Sequence, residues 1–362
     1  MSALHIAMVA RIAEMRRVGD ESGLFDALLA ASELTPLFSS AVAVVDDWIA
    51  EAVDLAVRIA VEPRDEVIVA VRRAELLLNC GNVTSAFEAA RSAGYAAADL
   101  GLAGLEDRAA LCGARALTRM GRLDDATGLF RQVVARELPS EFDDPLVPGL
   151  AFLTQGEAHL FQGRYDGAAR PFEQAVARLP STPAADQLRH DALLGLAFLD
   201  HGAGDLEAAT IRFASAGALA LRHGAAAEAQ SALLLEASVF RGLGKAGPAT
   251  ERLLLALKQG EQAVAPTRML SFPTERLRNL AGQHDNEALV DQAMELARDC
   301  GASGDLLGYI QLCAVVATLL DHDGRTDAAA AVLADVERGL RQSDQAEAAH
   351  LVHRHLLAYI TQ

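Results

Sequence analysis

The sequence is short of positive charge, and almost all of the positive charge it has is arginine. Its 362 residues include 32 basic and 49 acidic side chains, a formal net charge of −17, and only Lys245 and Lys258 are lysines. Such a charge repels phosphate backbones and anionic membrane surfaces, so no direct nucleic-acid partner is expected. Arginine in place of lysine, with abundant alanine and glycine, indicates a GC-rich bacterial genome.

Cysteines and long apolar runs are also scarce. The four cysteines, Cys80, Cys112, Cys300 and Cys313, lie far apart and form no CxxC pair, which is typical of small buried thiols in a reducing compartment. The longest apolar run, 312–320, is much shorter than the roughly 18 residues of a membrane span. The N-terminus has no basic region before its apolar part, unlike a secretory signal. We therefore expect a cytoplasmic protein without membrane insertion.

Aromatic residues make up only 5% of the chain, although 51% of it is apolar. This composition suits thin helix-on-helix layers filled by alanine, leucine and valine rather than a bulky globular core. The chain is also longer than one compact core usually organises. These features predict a mostly helical protein that repeats one unit along an axis.

The stretch 152–180 defines the repeated unit. Gly163 interrupts a run with helical periodicity, Tyr165 begins a second run, and Pro180 ends it. A small residue recurs seven positions before each turn glycine and an alanine five positions after it, which lets two helices approach closely. The turn glycines are Gly81, Gly121, Gly163, Gly204, Gly244 and Gly324, at intervals of 40, 42, 41, 40 and 80 residues, so a further turn is expected near residue 283.

Six positions of this stretch carry small, aromatic or proline side chains at fixed spacings: Gly156, Tyr165, Ala168, Phe172, Ala175 and Pro180. Their pattern resembles the tetratricopeptide repeat, a family of two-helix units that stack into a superhelix. The resemblance implies an all-α fold, a right-handed α-solenoid of antiparallel helix pairs. The period near 41 residues is similar to that of the sensory arms of large bacterial regulators resembling the maltose-responsive activator, and of helical peptide receptors of quorum-sensing systems.

Residues 1–362 are predicted to form a single domain of this type. Two proline-containing segments, 138–149 and 265–274, are expected to interrupt the stack. Terminal helices of a solenoid need a polar outer face, which the end of the chain provides. The domain would consist of an N-terminal capping helix at 1–20, about eight helical hairpins over 21–340, and a C-terminal capping helix at 341–362.

No residues have the spacing of a catalytic or metal site. Gly242, Gly244 and Gly247 spell GxGxxG, but a dinucleotide site needs a preceding strand, and the repeat register places this run in a helical turn. His350 and His353 share a helical face, as zinc ligands can, but they have no HExxH motif and no cysteine companion. We expect no enzymatic activity, no cofactor and no bound metal.

The resemblance implies that the first helix of each unit lines a concave groove. Carried over by register, the predicted groove residues are Glu75, Leu78, Arg108, Arg115, Arg119, Glu157, Leu160, Phe198, His201 and Arg241, with Asp191, Ser231, Ser238, Thr318 and Asp321 in addition.

Three of these residues, Arg108, Arg115 and Arg119, are spaced seven and four apart and so lie on one face of a helix. In an acidic protein such a row could clamp a carboxylate or a phosphate, because the guanidinium fork binds these groups bidentately. The alternative is that the arginines pair with acids on neighbouring helices, namely Glu75, Glu106 or Glu157.

Two functions from different classes fit this sequence. The first is a non-catalytic scaffold or adaptor that binds a protein or peptide segment in the groove, its acidic end at the arginines and its apolar side chains at Leu78, Leu160 and Phe198. The second is a sensor of a ligand or signal peptide within a bacterial signalling or transcription-control system. Nothing in the periodicity predicts the oligomeric state.

Overall fold

The computed structural model describes residues 3–135, 144–262 and 286–342, and all sixteen elements in these ranges are α-helices. The segment 265–274, the turn expected near residue 283 and most of the predicted C-terminal capping helix lie outside the described residues. The helices are α1 (Ala3–Val18), α2 (Glu21–Leu34), α3 (Ser39–Ile59), α4 (Pro63–Asn79), α5 (Val83–Asp99), α6 (Ala103–Arg119), α7 (Leu123–Ala135), α8 (Val147–Phe161), α9 (Tyr165–Arg178), α10 (Pro183–Ala203), α11 (Leu206–Arg222), α12 (Ala226–Gly242), α13 (Ala246–Gln262), α14 (Asn286–Ser303), α15 (Leu306–His322) and α16 (Thr326–Gln342).

Consecutive helices pack as antiparallel pairs joined by short turns, and glycine closes most of these turns. All six predicted turn glycines have a positive φ, between 67° and 81°. Glycine adopts this left-handed conformation without the steric penalty that a Cβ brings, so it ends a helix within one residue. Three glycines that the periodicity does not single out, Gly101, Gly224 and Gly304, have the same conformation in turns between units.

Phe172 of α9 illustrates how the units stack. Its ring is buried between α8 and α10, and a Cβ added to Gly156 or Gly195 would approach it to 2.7 Å or 2.6 Å. The absence of a side chain at both glycines therefore lets one large residue fill the gap between two first helices. The predicted match of a small residue before the turn with a large residue after it is confirmed at this unit.

The GxGxxG run lies in a helical turn, as predicted. Gly242 is the last residue of α12, Gly244 has a φ of 70°, and Gly247 belongs to α13. No strand precedes it, since the described part of the chain contains helices only. Within the same residues, no helix is both long and apolar enough to cross a membrane.

The solenoid winds so tightly that helices far apart in sequence touch. Helices α2 and α3 contact α10 and α12, while α5 and α6 contact α14 and α15. Two hydrogen bonds across the second of these contacts join residues 219 and 186 positions apart. With a period near 41, these separations correspond to about five units, or one turn of the superhelix. Neighbouring first helices also contact one another, α4 with α6, α6 with α8 and α8 with α10.

Candidate partner-binding groove

Arg108 of α6 is the centre of a buried ion cluster. Its Nε and Nη2 donate to the two carboxylate oxygens of Glu75, at 2.6 and 2.8 Å, in the bidentate geometry that guanidinium favours. Its Nη1 lies 3.0 Å from a carboxylate oxygen of Glu33 and 3.2 Å from one of Asp144. Acids from α2, α4 and the segment just before α8 thus converge on one arginine of α6, which ties four units together.

Two of these carboxyl groups have opposite pKa shifts. Burial opposes ionisation of Glu75, but Arg108 and Arg72 outweigh it and lower the pKa to about 2. Burial raises the pKa of Asp144, and the attraction of Arg108 offsets this only in part. Glu75 takes bidentate bonds from Arg108 and a further bond of 2.9 Å from Arg72, which accounts for the difference. Glu75 therefore supplies the stable negative charge of the cluster.

Arg115, two turns further along α6, binds acids of the next two first helices. Its Nε and Nη2 each donate to Glu157 of α8 at 2.8 Å, and its Nη2 also lies 3.2 Å from Asp191 of α10. Asp191 is held in place by Gln187, whose amide donates to it at 2.6 Å. The pairing of the arginine row with Glu75 and Glu157, which the sequence left as one of two alternatives, is present in the structure.

Arg119 differs from the other two arginines because its acidic partner comes from the far side of the superhelix. Its Nη1 donates to the carbonyl oxygen of Leu78 at 2.8 Å, and its Nη2 donates to Asp305, the N-cap residue of α15. Its Nε is buried and has no acceptor among the described residues. One end of the arginine row therefore takes part in the contact between distant units.

The other predicted groove residues lie in varied surroundings. The side chain of Leu78 is buried between α4, α5 and α6, so this residue presents its carbonyl oxygen rather than its side chain to Arg119. Leu160 is half-buried on α8, and Phe198 packs edge-on against Phe213 with ring centroids 5.6 Å apart. His201 is exposed near the end of α10. The side chain of Arg241, on α12, lies outside the described residues.

Sequence reasoning missed four charged residues of this surface: Glu33, Arg72, Asp144 and Asp305. Arg72 lies in a predicted first helix, and its Nε donates to the carbonyl oxygen of Ser32 at 2.7 Å. Asp305 follows a glycine and precedes an apolar run, which is a recognisable helix N-cap signal. No local signal shows that Asp305 meets Arg119, since that depends on the pitch of the whole superhelix.

A second contact between distant units is centred on Phe38, in the turn between α2 and α3. Its buried ring lies 5.4 Å from the His190 ring in edge-on geometry and 5.7 Å from the stacked His223 ring. Alanines of α11, α12 and the turn between them complete its surroundings. The Nε2 of His223 is 2.8 Å from a carboxylate oxygen of Asp186. The N-terminal hairpin is thus docked on the middle of the chain.

Comparisons with known proteins bear on the fold. No family model matches the sequence, and no curated protein matches it either. Among solved structures, the chain is similar to a Rap protein complexed with competence and sporulation factor, with 12% identity, a TM-score of 0.58, and coverage of 99% of this chain and 100% of that one. The apo quorum sensor NprR from B. thuringiensis (13% identity, 90% and 89% covered, TM-score 0.48) and apo RapI (11%, 98% and 98%, 0.48) are also similar. The chain has a tetratricopeptide-repeat-like solenoid fold.

Proposed function

We propose that the protein is a non-catalytic binding module, a scaffold or adaptor, that accepts a segment of another protein or a peptide in its concave groove. The observation that carries the proposal is the ion-pair row on α6, which joins α4, α6, α8 and α10 through Glu75, Glu157 and Asp191. Four first helices held in register offer a preorganised surface, and preorganisation reduces the entropic cost of binding a segment. The similar fold of a Rap protein crystallised with a bound factor supports the proposal.

The charges of the row define the preferred partner. Each arginine already has carboxylate partners from its own chain, so an acidic segment would have to displace them. Complementarity therefore favours an apolar or basic segment over an acidic one. With Arg72 of α4, the ion pairs of this surface contain more acidic than basic side chains. The four arginines are Arg72, Arg108, Arg115 and Arg119, and the six acids are Glu33, Glu75, Asp144, Glu157, Asp191 and Asp305.

Site-specific crosslinking tests the proposal. A photoreactive amino acid replaces Leu160 or His201, two of the predicted groove residues. In the control protein it replaces Ile211, which is 67% exposed on the second helix α11. Each purified variant is irradiated in soluble extract of the source organism, and the crosslinked peptides are identified by mass spectrometry. We expect one shared partner segment at Leu160 and His201 that is absent at Ile211. The same proteins at all three positions, or none at Leu160 and His201, would exclude the groove as the binding surface.

A sensor of a ligand or signal peptide is the second candidate, and the contact between Arg119 and Asp305 favours it. A change of superhelical pitch alters this contact directly, because it joins units one turn apart. A small-molecule ligand at 100 times its Kd stabilises the folded state by about 2.7 kcal/mol, whereas a scaffold that binds only protein segments shows no response to small molecules. A thermal shift with a metabolite pool therefore supports the sensor, and a shift with peptides alone is compatible with both functions.

A further inference from the structure

We propose that the turn formed by Ser303, Gly304 and Asp305 is an intramolecular ligand of a surface on α5 and α6, and that its release opens the groove to a partner segment. We call the meeting of these three residues with Thr84 and Arg119 the closure contact. Its existence is independent of the proposed function. Its role in access rests on that function.

The closure contact is closely fitted around Gly304. Thr84, in the first turn of α5, donates from its hydroxyl to the carbonyl oxygen of Ser303 at 3.3 Å. A Cβ added to Gly304 would lie 2.1 Å from the Thr84 hydroxyl oxygen and 3.5 Å from its Cβ. Gly304 also has a φ of 79°, a conformation that side chains disfavour. Glycine at this position thus allows the turn to lie directly on Thr84.

Asp305 uses one carboxylate oxygen for its helix cap and the other for the closure contact. Its Oδ1 accepts from the backbone N–H of Gly308 at 3.1 Å and so caps α15, while its Oδ2 accepts from Arg119. Only 1% of Asp305 is exposed. A buried carboxylate that loses its arginine partner is strongly disfavoured, so the contact should open as a whole and expose Asp305 to water rather than break one bond at a time.

The turn at Gly204 and Asp205 provides an internal control. Gly204 has a φ of 81°, and Asp205 accepts from the backbone N–H of Ala208 at 3.0 Å, so the local geometry of the cap is the same. Asp205 is exposed, however, and no atom lies within 4 Å of a Cβ added to Gly204. Asp305 therefore differs from an ordinary helix cap in two ways: it is buried, and it pairs with Arg119, which is distant in sequence.

The position of Arg119 connects the closure contact to the groove. Arg119 lies on the same face of α6 as Arg108 and Arg115, and its Nε has no acceptor among the described residues. A segment that binds along α6 therefore reaches Arg119 first, and it meets Asp305 only after the contact has opened. Because the contact spans 186 residues, its release frees α14 and α15 from α5 and α6 and widens the concave surface.

An engineered disulfide tests whether the contact forms in solution. Thr84→Cys combined with Gly304→Cys places the two Cβ atoms 3.5 Å apart, within the range of about 3.5–4.5 Å that disulfides require. Thr84→Cys combined with Gly204→Cys is the control, with the same strain at the glycine and no contact. After mild oxidation, we expect mass spectrometry to find a disulfide between the peptides that carry the two substitutions only in the first variant. A folded double variant whose two introduced thiols stay reduced would overturn the closure contact.

A variant that removes the charge of Asp305 tests the closure contact without cysteines, and so does not depend on the folding of the cysteine variants. Asparagine caps a helix about as well as aspartate, so Asp305→Asn removes the ion pair and retains the cap, and Asp205→Asn is its match. We expect hydrogen exchange at the start of α15 and at the start of α5 to quicken by about tenfold or more in Asp305→Asn, and to stay unchanged in Asp205→Asn. Equal exchange in the two variants would overturn the closure contact.

The role in access is measured with the photoreactive residue at Leu160. We expect severalfold more crosslinking to the partner segment in the Asp305→Asn background, and less in the oxidised than in the reduced Thr84→Cys/Gly304→Cys background. Crosslinks that respond to neither change would overturn the role in access. A formed disulfide with no Leu160 crosslinks in any background would overturn the proposed function and leave the closure contact in place.

Discussion

The turns at Gly204–Asp205 and Gly304–Asp305 are the same local structure in two different environments. Both pair a left-handed glycine with an aspartate that caps the next helix, through hydrogen bonds of 3.0 and 3.1 Å. One aspartate is exposed, and the other is buried against Arg119. The local sequence therefore determines the conformation of the turn. The winding of the superhelix determines how much its aspartate contributes to stability.

The largest difference between the two turns is expected in the stability lost when alanine replaces the aspartate, in Asp305→Ala and in Asp205→Ala. Loss of an N-cap costs about 1 kcal/mol at either site. At Asp305 the change also removes the carboxylate that pairs with Arg119, and breaking a buried ion pair costs about 3–5 kcal/mol. Since a solenoid does not unfold in a single step, the suitable measurement is the local opening free energy of α11 and α15 by hydrogen exchange. Equal losses at the two sites would mean that the ion pair contributes nothing.

The pH dependence of stability should likewise differ between a buried carboxylate, Glu75, and an exposed one, Glu88. The pKa of Glu75 is lowered to about 2 from its ordinary value of 4.5. A lowered folded-state pKa gives stability that is complete above the unfolded pKa and is lost as the pH falls from about 4.5 to 2. The shift corresponds to about 3 kcal/mol. Wild-type protein should lose this stability over that range, and in Glu75→Gln the local opening free energy of α4, measured by hydrogen exchange, should depend less on pH.

The matched control is Glu88→Gln on α5. Glu88 forms an exposed pair with Arg91, and such pairs contribute about 0–1 kcal/mol. Its pH profile should follow the wild type. Asp144, whose pKa is raised, contributes in the opposite direction in the wild type and in Glu88→Gln alike. A Glu75→Gln profile as steep as that of the wild type would show that the acid sensitivity arises elsewhere.

The predictability of contacts falls with the number of units they span. The pairs Arg108–Glu75 and Arg115–Glu157 join residues 33 and 42 apart, about one unit, so the repeat register was sufficient to suggest them. Arg119 and Asp305 are about five units apart, and small rotations per unit accumulate over that distance. At Leu78 the register itself was too coarse. Successive residues of a helix point about 100° apart, so a small shift in register changes the face on which a side chain lies. The side chain of Leu78 lies in the core and not in the groove.

The smallest difference in stability between the two turns is expected when alanine replaces the glycine. A left-handed φ costs a residue with a Cβ about 1–2 kcal/mol, and this applies equally to Gly204→Ala and Gly304→Ala. At Gly304 the new Cβ also overlaps the Thr84 hydroxyl, which must rotate away and lose its hydrogen bond to Ser303. One hydrogen bond contributes about 0.5–1.5 kcal/mol, so the two variants should differ by that amount in the local stability of their turns. In a Thr84→Val background, where no hydroxyl can donate, the same two variants should become equal if the hydrogen bond is the cause. A difference that persists there would instead indicate steric displacement of the whole turn from α5.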